Sequence, residues 1–162
     1  MTDIQRFVGV WELEGIEDFL GRGGKKENTF LESNRAGRPA VGFEKALGLL
    51  IYVASGEMSV NFMGAGRIPF LREFFPTPSE LAAAGAAYGG YAGRWELDEP
   101  RQEVIHLPVV SFVPNRVGAR VRRSYSFKEN SLSFFLILRP IALTPGDEAP
   151  DRVLRWRRQT PR

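Results

Sequence analysis

The hydrophobic positions of this chain alternate with polar ones over short stretches, and two such stretches lie near its ends. Residues 7–16 alternate around Trp11 and Leu13, and residues 151–158 alternate around Trp156. A period of two residues is typical of a β-strand with one buried face. A Gly-x-Trp strand at the start and a Trp/Arg strand at the end predict a sheet that closes on itself, with the terminal strands as neighbours.

Further strands follow between these two ends. Residues 48–53 and 57–63 predict a hairpin that turns at Ala54-Ser55-Gly56. Pro108 cannot donate to a ladder, so it marks an edge or a bulge. Short strands at regular spacing are typical of an antiparallel barrel or sandwich, here of eight or nine strands. The remaining predicted strands are residues 29–31, 94–98, 103–107, 117–127 and 131–138, and the long loops are residues 34–47 and 140–150.

One helix is predicted. Thr77-Pro78-Ser79-Glu80 has the spacing of a capping box, with proline at the first helical position. Residues 81–87 are mostly Ala and Leu, which favour helix, and Gly89-Gly90 is expected to end it. The helix is either a lid or plug at one barrel mouth or a plain surface helix.

Composition narrows the class of protein. A chain of 162 residues, 43% hydrophobic and 25% charged, fits one globular domain over residues 1–162. The absence of cysteine excludes disulfides and thiolate chemistry. The first residues carry no apolar signal-like segment, and no apolar run reaches the roughly 18–20 residues of a membrane span. We therefore expect a cytoplasmic protein without a membrane partner.

The formal net charge of +3 comes largely from arginines, which cluster at residues 120–123 and 152–158. Acidic residues are spread through the chain, and the arginines alternate with other residues, as on exposed strand faces. Nucleic-acid surfaces combine a larger positive excess with exposed aromatics. We therefore predict no nucleic-acid partner, and a basic interaction barrel ranks below the hypotheses that follow.

Several short motifs, taken in order, resemble the bacterial lipocalin-like domain family, a calycin-type relative of the lipocalins. The resemblance implies a closed antiparallel barrel with a central cavity, here with one short helix near a barrel mouth; it does not imply one function. It spans nearly the whole chain and rests on Gly9-Val10-Trp11, Gly48-Leu49-Leu50-Ile51-Tyr52, Met58-Ser59-Val60, residues 88–98, Val104-Ile105-His106, residues 114–118, Arg122-Arg123-x-Tyr125 and Leu154-Arg155-Trp156-Arg157.

Two segments differ from the family pattern. Leu107, Val109 and Val110 are apolar where members often carry polar residues, and the loop of residues 70–76 is rich in Phe and Pro. Both differences indicate that the cavity or its mouth is apolar, or else that these residues belong to the ordinary hydrophobic core.

Barrel strands alternate between lumen and exterior, so parity predicts the lining. Trp95 and Leu97, His106 and Val104, and Arg123 and Tyr125 form inward-facing sets, whereas the parity of residues 57–63 stays open. A mostly aromatic lumen with a few polar groups is typical of a small-molecule site. The candidate ligand-binding residues are Tyr52, Asn61, Phe62, Phe74, Tyr88, Tyr91, Trp95, His106, Arg123 and Tyr125.

His106 is the only histidine, so no multi-histidine metal site can form, and we predict neither metal nor cofactor. It is either a general acid or base or a structural histidine in the barrel wall. Arg123 could pair with a ligand carboxylate or enolate. The better candidate to stack on Trp11 and seal one end of the barrel is a C-terminal arginine, namely Arg155, Arg157 or Arg158.

Two functions rank above the basic interaction barrel. The first is binding of a small hydrophobic molecule in the barrel. The second is a cofactor-free cyclase or isomerase of a biosynthetic pathway, acting on an apolar polyketide-like substrate, with His106, Arg123 and Tyr125 as candidate catalytic residues. The apolar run Phe134-Phe135-Leu136-Ile137-Leu138 favours a homodimer through that strand or its burial under the 140–150 loop.

Overall fold

The computed structural model describes residues 2–19, 26–27, 46–130, 133–142 and 152–160. Two α-helices, two short 3₁₀ turns at residues 99–101 and 114–116, and nine strands make up this part of the chain. The helices are α1 (Asp3–Phe7) and α2 (Pro78–Ala86), and the strands are β1 (Gly9–Phe19), β2 (Lys26–Glu27), β3 (Ala46–Tyr52), β4 (Glu57–Gly64), β5 (Tyr88–Asp98), β6 (Glu103–Ser111), β7 (Val121–Glu129), β8 (Phe134–Pro140) and β9 (Arg152–Arg158).

Eight of these strands close into an antiparallel barrel. The order is β1-β3-β4-β5-β6-β7-β8-β9, and β9 pairs back onto β1, with Trp11 opposite Arg158 and Leu13 opposite Trp156. The two-residue strand β2 pairs with the end of β1. Closure leaves no free edge in the ring of strands. The predicted all-β barrel, with its two terminal strands as neighbours, is confirmed.

One end of the barrel, here called the closed end, is sealed by α1 and by the last strand. Gly9 has a φ of +145°, a conformation that favours glycine, and the Arg158 guanidinium lies 3.6 Å from where a Cβ would stand. Arg158 donates hydrogen bonds to the carbonyls of Arg6 and Val8 and lies 4.8 Å above the Trp11 ring. In the Gly-x-Trp motif, Gly9 thus supplies the backbone conformation and Trp11 the ring that Arg158 covers, and the expected stacking of a C-terminal arginine on Trp11 is confirmed.

The lumen near the closed end is packed with aromatic rings. Phe7, the last residue of α1, is fully buried and lies within about 5 Å of three of them, Tyr52, Tyr125 and Phe127. Trp11 donates its indole N–H to the Phe7 carbonyl at 2.9 Å. These contacts form what we call the aromatic floor, comprising Phe7, Trp11, Tyr52, Trp95, Tyr125 and Phe127.

The other end, called the mouth, carries α2 and the 3₁₀ turn of residues 114–116. The Thr77 capping box is present, with Glu80 returning a hydrogen bond to the Thr77 backbone. None of the residues of α2 is buried, so it is a surface helix rather than a plug. The helix ends at Ala86, before the two glycines that were expected to end it. Gly89 and Gly90 belong to β5 instead. Neither of the two helices in the described ranges is long and apolar enough to span a bilayer.

The structure moves several predicted boundaries. Phe7 belongs to α1, which the sequence pattern did not predict, and β1 begins at Gly9 after it. β7 begins at Val121 because residues 114–118 form a 3₁₀ turn and a tight turn. Pro108 lies opposite Gly93, where the register shifts, so the bulge expected at this proline is present. The predicted strand at residues 29–31 and most of the two long loops fall outside the described residues.

The arginine clusters divide between the two faces of the wall. On the outer face Arg122 forms a bidentate ion pair with Glu103, both distances being 2.7 Å. Arg120 pairs with Glu96, and Arg157 pairs with Glu12. Arg123 and Arg158 alternate with these residues and belong to the inner face. Local pairing therefore neutralises much of the outer positive charge.

Candidate functional site

The inner wall brings His106 to the centre of a group of aromatic side chains. His106 is on β6, opposite Trp95 of β5 and Val121 of β7. It is 1% exposed, although its neighbours along the lumen are almost all apolar. Buried polar side chains need hydrogen-bond partners, so the contacts of the imidazole determine what it can do.

Both imidazole nitrogens bind phenol groups. The Tyr52 hydroxyl lies 2.7 Å from Nε2, and the Tyr91 hydroxyl lies 2.7 Å from Nδ1. Tyr52 comes from the end of β3 and Tyr91 from β5, so three strands contribute to one continuous chain. We call Tyr52–His106–Tyr91 the lumen chain. It begins against the aromatic floor, where Tyr52 contacts Phe7, and ends at Tyr91, toward the mouth.

Burial sets the charge of this chain. It lowers the pKa of His106 well below the usual value, and the positive charges of Arg123 and Arg116 lower that pKa further. Burial also raises the pKa of Tyr52 well above its usual value, with a smaller contribution from Tyr91. Imidazole and phenol are therefore both neutral at pH 7.

Two arginines stand beside the lumen chain. Arg123 follows the inward parity of β7, between Val121 and Tyr125, and its guanidinium acts electrostatically on both Tyr52 and His106. Arg116, from the 3₁₀ turn between β6 and β7, lies 5.6 Å from the centre of the Tyr91 ring. A neutral hydrogen-bonded chain thus lies in a positive local field.

The other predicted lining residues divide by parity. Met58, Val60 and Phe62 face the lumen, which resolves the open parity of this strand. Asn61 lies on the outer face, where it accepts a hydrogen bond from Tyr88 at 2.5 Å. Trp95 is in the wall beside the lumen chain and contacts Tyr52 at 4.9 Å between ring centres. Phe74 is 81% exposed on the loop before α2. Asn61, Tyr88 and Phe74 are therefore not brought to the lumen chain.

Tyr125 faces inward but belongs to the closed end. Its hydroxyl donates to Asp3 at 2.6 Å, and its ring contacts Phe7. Burial and the hydrogen bond to Asp3 both raise the pKa of this phenol. Because the hydroxyl is held by α1, Tyr125 is placed as part of the barrel seal, apart from His106.

Sequence reasoning missed two contributors. Arg116 lies in a turn, where the alternation of a strand does not predict which way a side chain points. Only its place shortly before β7, which carries the inward-facing Arg123, could have indicated its contact with the lumen. Phe7 is predicted as part of a strand, although Thr2 and Gln5 have the capping-box spacing that begins α1. The apolar residues after His106 also behave differently from a cavity lining, because Val109 and Val110 are 69% and 60% exposed.

Within the described ranges, no three or more His, Cys, Asp or Glu side chains gather as a metal site would require. The polar side chains described above in this lumen carry phenol, imidazole and guanidinium groups.

The comparisons with known proteins agree with this architecture. The lipocalin-like domain family matches residues 32–159, which is most of the chain. The chain belongs to this family. A search of curated proteins and a search of solved structures each gave no significant match. A lipocalin-like barrel suggests the binding of a hydrophobic ligand.

Proposed function

We propose that this protein binds a small hydrophobic molecule inside its barrel. The observation that supports the proposal is the lumen chain itself: three polar side chains, each at most 5% exposed, converge within an otherwise apolar wall. Small-molecule sites usually combine an apolar lining with a few convergent polar groups that orient the ligand. Trp95 contacts Tyr52, so a ligand at the chain should change the fluorescence of this indole.

Binding can be tested with 1-aminoanthracene, a neutral fluorescent probe, and with native mass spectrometry against a set of medium-chain lipophiles. We expect saturable probe binding at one site per chain. Val60→Trp fills the lumen and should abolish binding, whereas Asn61→Trp, one residue away on the outer face, should leave it intact. Tyr91→Phe removes one hydroxyl with little change of volume and should weaken binding. Absence of saturable binding in the folded wild type would overturn the proposal.

The lumen chain also favours a second candidate, a cofactor-free isomerase or cyclase. A neutral imidazole between two phenols can accept a proton at one nitrogen while it releases a proton from the other nitrogen. A proton gained at one end of the lumen chain can therefore be matched by a proton lost at the opposite end. Enolisation of a ketone requires this pair of transfers, one from carbon and one to oxygen. Arg123 and Arg116 would stabilise the developing enolate oxygen.

This second candidate can be tested with apolar 1,3-diketones as probe substrates. NMR would follow deuterium exchange at the carbon between the carbonyls. The expected result is exchange faster with wild type than with His106→Gln or Tyr52→Phe, while binding of the diketone persists in both variants. Equal exchange rates in all three proteins would exclude the isomerase and leave ligand binding standing.

A further inference from the structure

We propose, resting on the ligand-binding function above, that the ligand is an apolar carboxylic acid whose carboxylate is held by Arg123 together with a hydroxyl of the lumen chain. The group bound here must accept hydrogen bonds and carry negative charge. Three observations lead to this assignment: the pairing of the arginines, the hydrogen count of the lumen chain and the sign of the local field.

Arg123 differs from the neighbouring arginines in lacking a partner. Within the described part of the chain it forms no hydrogen bond and no ion pair, whereas Arg120 and Arg122 of the same segment each bind a glutamate. Its inward position sets it opposite Val104 on β6 and Pro140 on β8, neither of which offers a side-chain acceptor. A guanidinium taken partly out of water is stabilised by an anion, and a carboxylate matches its fork geometry.

The lumen chain has one donor hydrogen more than its own hydrogen bonds use. Neutral imidazole carries one N–H, and the two phenols carry one O–H each, which makes three hydrogens for two hydrogen bonds. One phenol therefore accepts from the imidazole and keeps its own hydrogen available. For Tyr52 and Tyr91, His106 is the one hydrogen-bond partner found among the described residues. A ligand oxygen that only accepts satisfies this hydrogen, and a donor group such as an amine does not.

The local field selects an anion rather than a neutral carbonyl. The His106 imidazole and the Tyr52 phenol contribute no negative charge, so the lumen chain does not balance the charge of Arg123. Glu103, which precedes His106 on β6, points outward and is already bound to Arg122. A carboxylate would bring the missing charge with it, and its alkyl part would contact the apolar wall.

The experiment compares decanoic acid with 1-decanol as competitors for bound 1-aminoanthracene. A hydrogen bond to a charged group contributes about 1.5–3 kcal/mol, so the acid should compete about tenfold or more better than the alcohol. Arg123→Met should remove this preference by weakening the acid and leaving the alcohol unchanged. Arg120→Met, an exposed arginine of the same segment, should preserve the preference. Arg123→Lys keeps the charge and should retain part of it.

The outcomes separate the two proposals. If the alcohol and the acid displace the probe equally from wild type, the carboxylate inference is overturned and hydrophobic binding stands. The carboxylate inference also fails if Arg123→Met and Arg120→Met keep the same preference for the acid. If the probe does not bind wild type and native mass spectrometry finds neither competitor, the proposed function itself is overturned. Because the wild-type comparison is decisive alone, a variant that fails to fold does not remove the test.

Discussion

At the scale of single residues, His106 shows how burial controls the chemistry of the lumen. The imidazole is buried away from water, it binds two phenols rather than a carboxylate, and two nearby arginines oppose a positive charge on it. The pKa of His106 is therefore lowered, and the folded protein holds the ring neutral. The unfolded chain has no such constraint and takes up a proton below a pH of about 6.5.

This difference predicts a pH-dependent stability. Between the lowered pKa of the folded state and about 6.5, the unfolded state binds one more proton, so the free energy of unfolding should fall as the pH falls. The slope for one proton approaches about 1.4 kcal/mol per pH unit. Urea titrations from pH 7.5 to 5.5 measure it, and His106→Gln should show a flatter profile over the same range.

Direct observation of the ring provides the control. Since the chain has a single histidine, its imidazole gives one C2–H resonance without any need for assignment. We expect this resonance not to titrate between pH 7.5 and 5.5 in the folded protein. A midpoint near 6.5, with equal slopes in wild type and variant, would contradict a neutral buried imidazole.

Arg158 carries the second residue-scale prediction. Its guanidinium donates to two backbone carbonyls and lies above Trp11, so Arg158→Met removes contacts that join the first and last strands. We expect a loss of about 1.5–3 kcal/mol in the free energy of unfolding, measured by urea denaturation. Arg157→Met is the matched control: this exposed neighbour pairs with Glu12, and such pairs contribute at most about 1 kcal/mol. Equal losses in the two variants would remove the special role of Arg158.

At the scale of elements, α1 shows that a five-residue helix can complete a barrel core. Such a helix is too short to be stable alone, so its packing must hold it in place. Phe7 supplies that packing, Tyr125 binds Asp3 from inside the barrel, and Arg158 binds the carbonyl of Arg6. The helix and the closed end therefore stabilise each other.

Truncation of Phe7 tests this dependence. Phe7→Ala should lower the free energy of unfolding by about 3–5 kcal/mol, because it empties the centre of the aromatic floor. Ile4→Ala, on the same helix but 49% exposed, should change it by less than about 0.5 kcal/mol. Thermal unfolding followed by near-ultraviolet circular dichroism reads both stability and ring packing. Similar small effects of the two substitutions would mean that α1 is only attached to the barrel surface.

At the scale of the whole molecule, alternation and turn chemistry predicted the strands of a barrel or sandwich, and the resemblance to lipocalin-like domains implied the closed barrel. Both failed where long-range geometry decides which side chains meet. Trp11, Trp156 and the hairpin at residues 54–56 placed the strands, because a half-buried strand has a local period. The same parity placed His106 and Arg123 inward. It could not pair His106 with Tyr52, which is 54 residues away, because the stagger of a closed barrel is set by all eight strands together. Nor did it place Asn61 outside, because the outward residues of β3, which include Leu49 and Ile51, are as apolar as the inward ones. Tyr88 begins β5, one strand further along the chain, and its outward position was not predicted either.

The homodimer stays a prediction, and the exposed side chains indicate a different surface for its interface. On β8, Ile137 points outward yet is only 3% exposed, so this strand offers less free apolar surface than its sequence indicates. The segment before α2 is the opposite case. Four large apolar side chains there are at least 77% exposed, namely Ile68, Leu71, Phe74 and Phe75. Exposed apolar clusters of this kind drive association because contact removes them from water.

We therefore predict that the chain self-associates through residues 68–75. Static light scattering across a range of concentrations should show a rising mean mass for wild type and a constant monomer mass for the double variant Phe74→Ser with Phe75→Ser. Because both side chains are already in water, the double substitution should leave the unfolding midpoint nearly unchanged. Phe135→Ser, on the outer face of β8, should associate like wild type. If Phe135→Ser abolishes association and the double variant does not, the dimer forms through β8, as the sequence pattern indicates.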